Sequence, residues 1–316
     1  MPSCRSLTTL AVLTVAVLSV TIGADDKAFL GRWTFMSSGD NPGAYWLEVK
    51  DEGGKLSALF LNRGGHPTPG ENVRVEGDEL IFLHGAAGGN QPQAEFRGKL
   101  SGGKMTATLK RGDRTLTLNG GRPPSWPAAN ANGKHTYGTP VVLFDGTSLD
   151  AFGVQNPKVP MNWSIEEGVM TNGEHANNLV SKEKFKDFKI DAEYKVGPGT
   201  NSGIYLRGRY ELQVLDEFGK PTFERGHMSI YGWKPADVNA SKPAGEWQEM
   251  EAIVVSNRVT VTHNGKRVHD NAVLQAITGG ALDNDEMAPG PIMIQGDHSK
   301  VWFRKITITP ITTPGM

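Results

Sequence analysis

The stretch "NSGIYLRGRYELQVLD", residues 201–216, decides how the larger part of this chain is read. With a period of two, Ile204, Leu206, Leu212 and Val214 fall on one side, and Tyr205, Arg207, Glu211 and Gln213 on the other. A second stretch, "GPIMIQGDH" at 290–298, has the same phase. Ile292 and Ile294 point to a core, which leaves Met293, Gln295 and Asp297 on the opposite face and His298 just past the strand. A solvated sheet face is ordinarily furnished with Lys, Thr, Ser and Glu. Arg207, Glu211, Gln213 and Gln295 look instead like hydrogen-bonding partners for a polyhydroxylated ligand. On the residues alone, Arg207 and Glu211 read more readily as a surface ion pair of little energetic weight.

Outward from these strands, residues 141–311 hold about a dozen β-rich runs and no useful helical periodicity. Asn264-Gly265 in "TVTHNGKRV" is a strong hairpin signal. Such a run of strands predicts a two-sheet sandwich of jelly-roll type. Upstream, residues 25–122 alternate in short segments separated by Gly, Asp and Asn, which predicts a small antiparallel β-barrel or sandwich. Its polar faces show no cluster that suggests chemistry, and "HGAAGGNQ" at 84–91 reads as a hairpin loop, not a phosphate loop. Between the two lies "RPPSWPAANANGKHTYGTP", a Pro-rich linker placed at 123–140. The chain is thus expected to be all-β, with a jelly roll at 141–316 behind a smaller β domain.

The 33 Lys and Arg against 34 Asp and Glu leave a formal charge of -1, so no basic field recruits nucleic acid or anionic lipid. The N-terminus runs from Arg5 through an apolar stretch, Leu7 to Ile22, to Gly23 and Ala24. This is the layout of a signal peptide over residues 1–24, with an uncleaved anchor as the alternative, and it implies a secreted or periplasmic protein with no membrane span once the leader is removed. The only cysteine, Cys4, lies in that leader. Disulfides, zinc-thiolate sites and cysteine catalysis are therefore excluded from the mature protein.

The stretches "LFDGTSLDAF", "WSIEEGVM", "NSGIYLRGRYELQVLD", "VNASKPAGEWQ", "RVTVTHNGKRVHDN", "GPIMIQGDH" and "VWFRKITITP" follow one another across residues 141–311. In this order they resemble the 3-keto-disaccharide hydrolase family. The resemblance implies a concanavalin A-like jelly roll and action on glycosides already oxidised to a ketone at C3. The ketone acidifies the C2 hydrogen, so a base can form an enolate, the bond from C1 to the leaving oxygen breaks by elimination, and water adds back. The chemistry needs a base at C2, donors at the C3 oxygen and an acid for the leaving group.

On that footing Glu211 is the expected base and Arg207 the stabiliser of enolate charge. His298 would carry the proton to the leaving group, with Asp297 orienting it or holding a cation. Gln213, Gln295 and Tyr205 would contact hydroxyls. Tyr231, Asn239 and Lys242, in or beside the loop "IYGWKPADVNASKPAGEW", are expected to wall the cleft, with Trp233 and Trp247 as possible stacking faces or core residues. Asp216 and His227 extend the candidates for a mixed divalent-cation site, though no tight ligand motif is present. A two-carboxylate mechanism using Glu211 and Asp216 is disfavoured, because strict alternation sends them to opposite faces. The resemblance further implies a small-molecule sugar as partner and a sugar 3-dehydrogenase in the same pathway. Two alternatives stay open: a non-catalytic carbohydrate-binding module on the same fold, and a ligand held by the N-terminal barrel.

Overall fold

The computed structural model describes residues 24–39, 41–85 and 92–316. Residues 1–23 of the expected leader and most of the loop at 84–91 lie outside the described residues. One helical turn, Ala24–Lys27, precedes the first strand, and no helix among the described residues is long and apolar enough to cross a membrane.

Residues 31–121 form one antiparallel sheet of up-and-down strands. The short strand Thr68–Pro69 at one end of the strand order runs through Gly70 into Glu71–Glu76 at the other end. The sheet therefore closes on itself as a barrel, which removes the exposed edges an open sheet of this length would carry. Side chains fill the interior: Phe60 and Phe82 both pack on Phe96, with ring centroids 5.5 and 4.5 Å away. Gly70 is required at the seam, since a Cβ there would sit 2.8 Å from the Phe82 ring.

The rest of the chain is a sandwich of two antiparallel sheets, the jelly roll expected. The longer sheet centres on Phe188–Val196, paired on one side with Trp247–Val255 and on the other with Val301–Thr313. Burial along Phe188–Val196 alternates strictly, Phe188, Ile190, Ala192, Tyr194 and Val196 inward, so this sheet has one wet face. The five-stranded sheet orders Phe152–Val154, Leu179–Phe185, Gly290–Ile294, Asn201–Leu206 and Tyr210–Leu215. Its inward residues Ile204, Leu206, Leu212, Val214, Ile292 and Ile294 join the shared core. Its outward residues are buried as well: Tyr205, Glu211, Gln213 and Met293 are all under 6 % exposed. Loops and the barrel, not solvent, cover that face.

Two strands of the sequence reading change. "WSIEEGVM" is a hairpin of Trp163–Glu166 with Val169–Asn172, turned by Glu167 and Gly168 at positive φ. The run at 227–232 makes only bridges at Ile230, to Leu212 and Lys234. The Pro-rich segment does not float free: Trp126 lies near Arg207, Ala131 N donates to Asn271, and Thr136–Tyr137 pairs with the last strand.

The barrel docks on the sandwich through an apolar patch. Trp46, Ala44 and Leu61 meet Ala276, Ile277 and Ala281, and Trp46 packs edge-on against Trp233 with centroids 4.9 Å apart. At the same seam Gly279 lies so close to Gly65 that a Cβ would fall 2.0 Å from its carbonyl oxygen.

Candidate active site

The register of the central strands lays out the floor of a cleft of about 510 Å³. Tyr205 stands opposite Glu211 on one side and Met293 on the other, and Gly203 stands opposite Gln213. Gln295 N donates to Gly203 O, so the second row runs Gln213, Gly203, Gln295. The glycine in that row is the space Glu211 uses: a Cβ at Gly203 would lie 2.3 Å from Glu211 Oε1. A glycine inside a strand marks such a close approach; the sequence reading passed over this one.

Glu211 is 3 % exposed. The Tyr205 hydroxyl lies 2.8 Å from its Oε2 and 2.9 Å from Gly279 O, and Glu211 N donates to Thr278 Oγ1 at 2.9 Å. Burial pushes the carboxyl up to about 8, against the lowering effects of the Tyr205 hydrogen bond and the positive charge of His298, with Asp297 adding to the rise. Above that value it is a stronger base than an exposed carboxylate. Tyr205 is itself driven well above the ordinary phenol range, first by burial and then by Glu211.

Asp297 and His298 form the cleft's second ionisable group. His298 Nδ1 is 2.7 Å from Asp297 Oδ1, and that hydrogen bond raises the imidazole. Nδ1 being committed, Nε2 is the nitrogen left to face a ligand. Asn178 Oδ1 accepts from Gly296 N, and Ser299 Oγ accepts from Asn201 N, which fixes the loop that carries the pair. Gln213 Oε1 accepts from Val214 N at 2.9 Å, so its Nε2 is the free end. Gln295 Oε1 is buried and accepts no hydrogen bond from the protein. Tyr231 reaches the cleft because its N–H donates to Glu211 O, which seats the segment beside the strand.

Several expected residues lie elsewhere. Arg207 and Gly208 have φ of 54° and 65°, and Arg209 N donates to Leu206 O, so Arg207 belongs to the hairpin turn and leaves the strand's alternation. Its guanidinium is buried away from the cleft, beside Trp126, donating to Lys186 O at 2.5 Å and Asp187 Oδ1 at 3.1 Å. Arg207 is therefore not beside Glu211 and cannot reach a ligand on this floor. Asn239 is a staple between loops, donating to Glu217 O and Lys220 O, and Lys242 Nζ donates to Trp247 O; neither lines the cleft. Trp233 is taken up by the barrel contact, and Trp247 lies on the longer sheet among Lys195 and Arg304.

The mixed cation site is not assembled. His227 is buried, its Nδ1 accepting from Leu215 N and its Nε2 3.0 Å from Tyr194, while Asp216 accepts from Gly199 N. Among the described residues no group of three or more His, Cys, Asp or Glu is arranged so that it could hold a metal ion. Asp297 and His298 alone supply two ligands, fewer than protein metal sites usually use.

The sequence reading also missed part of the wall. Gln155, His175 and Asn178 come from loops of the sandwich, and Asn41, Arg63 and Gly65 from the barrel.

The profile of a family described as a 3-keto-alpha-glucoside-1,2-lyase-like domain matches residues 139–309. A 3-keto-disaccharide hydrolase of Bacteroides thetaiotaomicron is 26% identical over an alignment covering 53% of this chain and 77% of that protein. Among solved structures, one classed as a glycosyl hydrolase from Parabacteroides distasonis is 27% identical with a TM-score of 0.49, covering 60% of this chain and 93% of that one. A second from the same organism is 25% identical with a TM-score of 0.43, covering 55% and 100%.

Proposed function

Because this chain belongs to the family of 3-keto-alpha-glucoside-1,2-lyase-like domains, we propose that it is an exported enzyme that cleaves 3-keto-glycosides by elimination and hydration. The observation that carries the reading is Glu211: a buried carboxyl on the floor of a polar cleft, hydrogen-bonded to Tyr205 and held up to about 8. Such a group suits a weak carbon acid, since base strength rises with pKa.

In this reading ionised Glu211 takes the proton from C2, and the electron pair of that bond delocalises onto the C3 oxygen. The enolate then expels the C1 oxygen substituent, forming the C1–C2 double bond, while His298 gives the leaving oxygen its proton. Water adds its oxygen to C1 and gives a proton back to His298, while Glu211 delivers a proton to C2. With Arg207 outside the cleft, the donor to the C3 oxygen is a neutral group, the Gln213 amide, whose Nε2 is free. Gln295 and Tyr231 contact the remaining hydroxyls. Asp297 holds His298 by the 2.7 Å contact and is, with His298, where a divalent cation would be sought. The ketone must be made beforehand, so an oxidation at C3 supplies the substrate.

The test is to incubate residues 25–316 with a 3-keto-disaccharide, with and without divalent cations, and to follow release of 3-keto-glucose. Glu211→Gln is expected to lower kcat by at least about 1,000-fold while binding persists. Deuterium from solvent should appear at C2 of the product, because the Glu211 proton exchanges with solvent before it is delivered. Binding without turnover by the wild type would return the protein to the class of carbohydrate-binding modules, and N-terminal sequencing of the exported form should begin near Asp25.

A further inference from the structure

The matched family segment begins at residue 139, so the barrel lies wholly outside it. Yet the barrel walls the cleft, and the charged residue it brings among the described residues is Arg63. Arg63 lies in the loop after strand Leu56–Leu61. Its stem crosses Gly43, where a Cβ would sit 2.6 Å from Arg63 Cδ. Its Nη1 and Nη2 donate to Asn41 O at 3.1 Å and Asn41 Oδ1 at 2.7 Å. Its carbonyl accepts from Gly280 N at 2.7 Å, next to the Gly279 oxygen that touches Tyr205. The loop is thus tied into the same backbone that holds the Tyr205 and Glu211 pair.

Among the described residues the charges in the cleft do not balance around Arg63. Asp297 and His298 pair with each other. Glu211 is neutral through most of the neutral range, by burial. Among the described residues Arg63 meets only neutral oxygens and no carboxylate. A guanidinium held in place by neutral acceptors, on a residue that lines a cleft, is suited to an anionic oxygen group.

We propose that Arg63 gives the cleft a second subsite, contributed by the barrel, that binds a carboxylate or sulfate carried by the leaving part of the substrate. The inference rests on the reading of the cleft as a glycoside site. The preferred substrates are then acidic glycosides, with the ketosugar over Glu211 and the anionic group toward the barrel. The barrel becomes a specificity element of the enzyme, in place of a spacer.

Benzyl, 4-carboxybenzyl and 4-sulfobenzyl 3-keto-glucosides differ in charge while their leaving oxygens differ little in acidity, so kcat/KM across the three isolates the subsite. The wild type should favour at least one charged substrate over the neutral one by about tenfold or more, a preference that shrinks with salt, and the better of the two charged compounds identifies the anion. In Arg63→Met that ratio should fall to near one, and Arg63→Lys should restore part of it. Gly43→Ala keeps the charge but displaces the guanidinium, so it should also lower the ratio; it carries the comparison if Arg63→Met fails to fold. A wild-type ratio near one, or a ratio unchanged in both variants, overturns the proposal. If no 3-keto-glucoside is cleaved at all, the proposed activity fails first. The subsite is then read by calorimetric titration with unoxidised 4-carboxybenzyl and 4-sulfobenzyl glucosides: tighter binding than benzyl glucoside, lost in Arg63→Met, supports it, and equal binding by both proteins sinks it.

Discussion

The Tyr205 hydroxyl has one proton and two acceptors within reach, Glu211 Oε2 at 2.8 Å and Gly279 O at 2.9 Å. While Glu211 is protonated, its own proton goes to the phenol oxygen and Tyr205 donates to Gly279. Once Glu211 ionises, the phenol proton must turn to the carboxylate, so creating the base costs the Gly279 contact. For a base of this kind kcat/KM should rise with pH through a midpoint near 8. Tyr205→Phe removes a hydrogen bond to the charged form and should move that midpoint up by about one unit, the worth of one such bond; a midpoint that stays put or falls would show that Tyr205 does not stabilise the carboxylate. Gly203 offers a second residue-scale test. Its backbone is ordinary strand, so Gly203→Ala should fold, but the new Cβ would overlap Glu211 Oε1. A displacement of about 1 Å costs about 100-fold in rate, and a kcat/KM within threefold of wild type would mean Glu211 need not sit where it does. Glu211 itself was legible in the sequence from strand phase, whereas the role of Gly203 was legible only as a glycine inside a strand.

At the scale of the element, period-two phase located the floor correctly because both strand faces obey the same pleat: Ile204, Leu212 and Ile294 went to the core, and Tyr205, Gln213 and Gln295 to the cleft. It failed at Arg207, where alternation stops. A non-glycine residue at positive φ is uncommon, and nothing in "LRGRY" distinguished Arg207 as the first turn residue from Arg207 as the last strand residue. The hairpin uses both arginines as anchors, Arg207 on Asp187 and Arg209 on Asp283 and Ala288 O. Breaking one partner of a buried pair leaves the other charge poorly compensated. Arg207→Met should therefore destabilise the protein by about 3 kcal/mol, seen as a lower midpoint in urea. The pH midpoint of kcat/KM, set in the cleft that Arg207 does not line, should not move in this variant. A large loss of rate with unchanged stability would return Arg207 to the chemistry.

At the scale of the whole molecule, the sequence separated barrel from jelly roll but could not reveal that they share a cleft, because that depends on how Trp46 meets Trp233 and Gly65 meets Gly279 across more than 180 residues of chain. The same packing buries ionisable groups of opposite pH response, and their sum fixes the pH of greatest stability. Glu211 and Glu286 are raised by burial, so the folded state binds more protons than the unfolded chain above about 4.5; the contribution of Glu211 falls as pH rises toward 8, and that of Glu286 falls in the same direction. His227, His269 and His84 are lowered to about 4 and His263 well below its usual value, all mainly by burial. For these the unfolded chain binds more protons between about 4 and 6.5, so stability is complete above 6.5 and lost as pH falls through that window. Fully buried His227 alone represents roughly 3 kcal/mol, and the histidines together outweigh the two glutamates. Tm should accordingly climb from pH 8 to about 6.5 and then drop steeply toward pH 4. Glu211→Gln should flatten the upper limb and steepen the acid limb, where Glu211 no longer opposes the histidines, which scanning calorimetry across the range would show; a Tm that declines steadily from pH 8 downward would mean that burial of Glu211 does not hold its proton in the folded state.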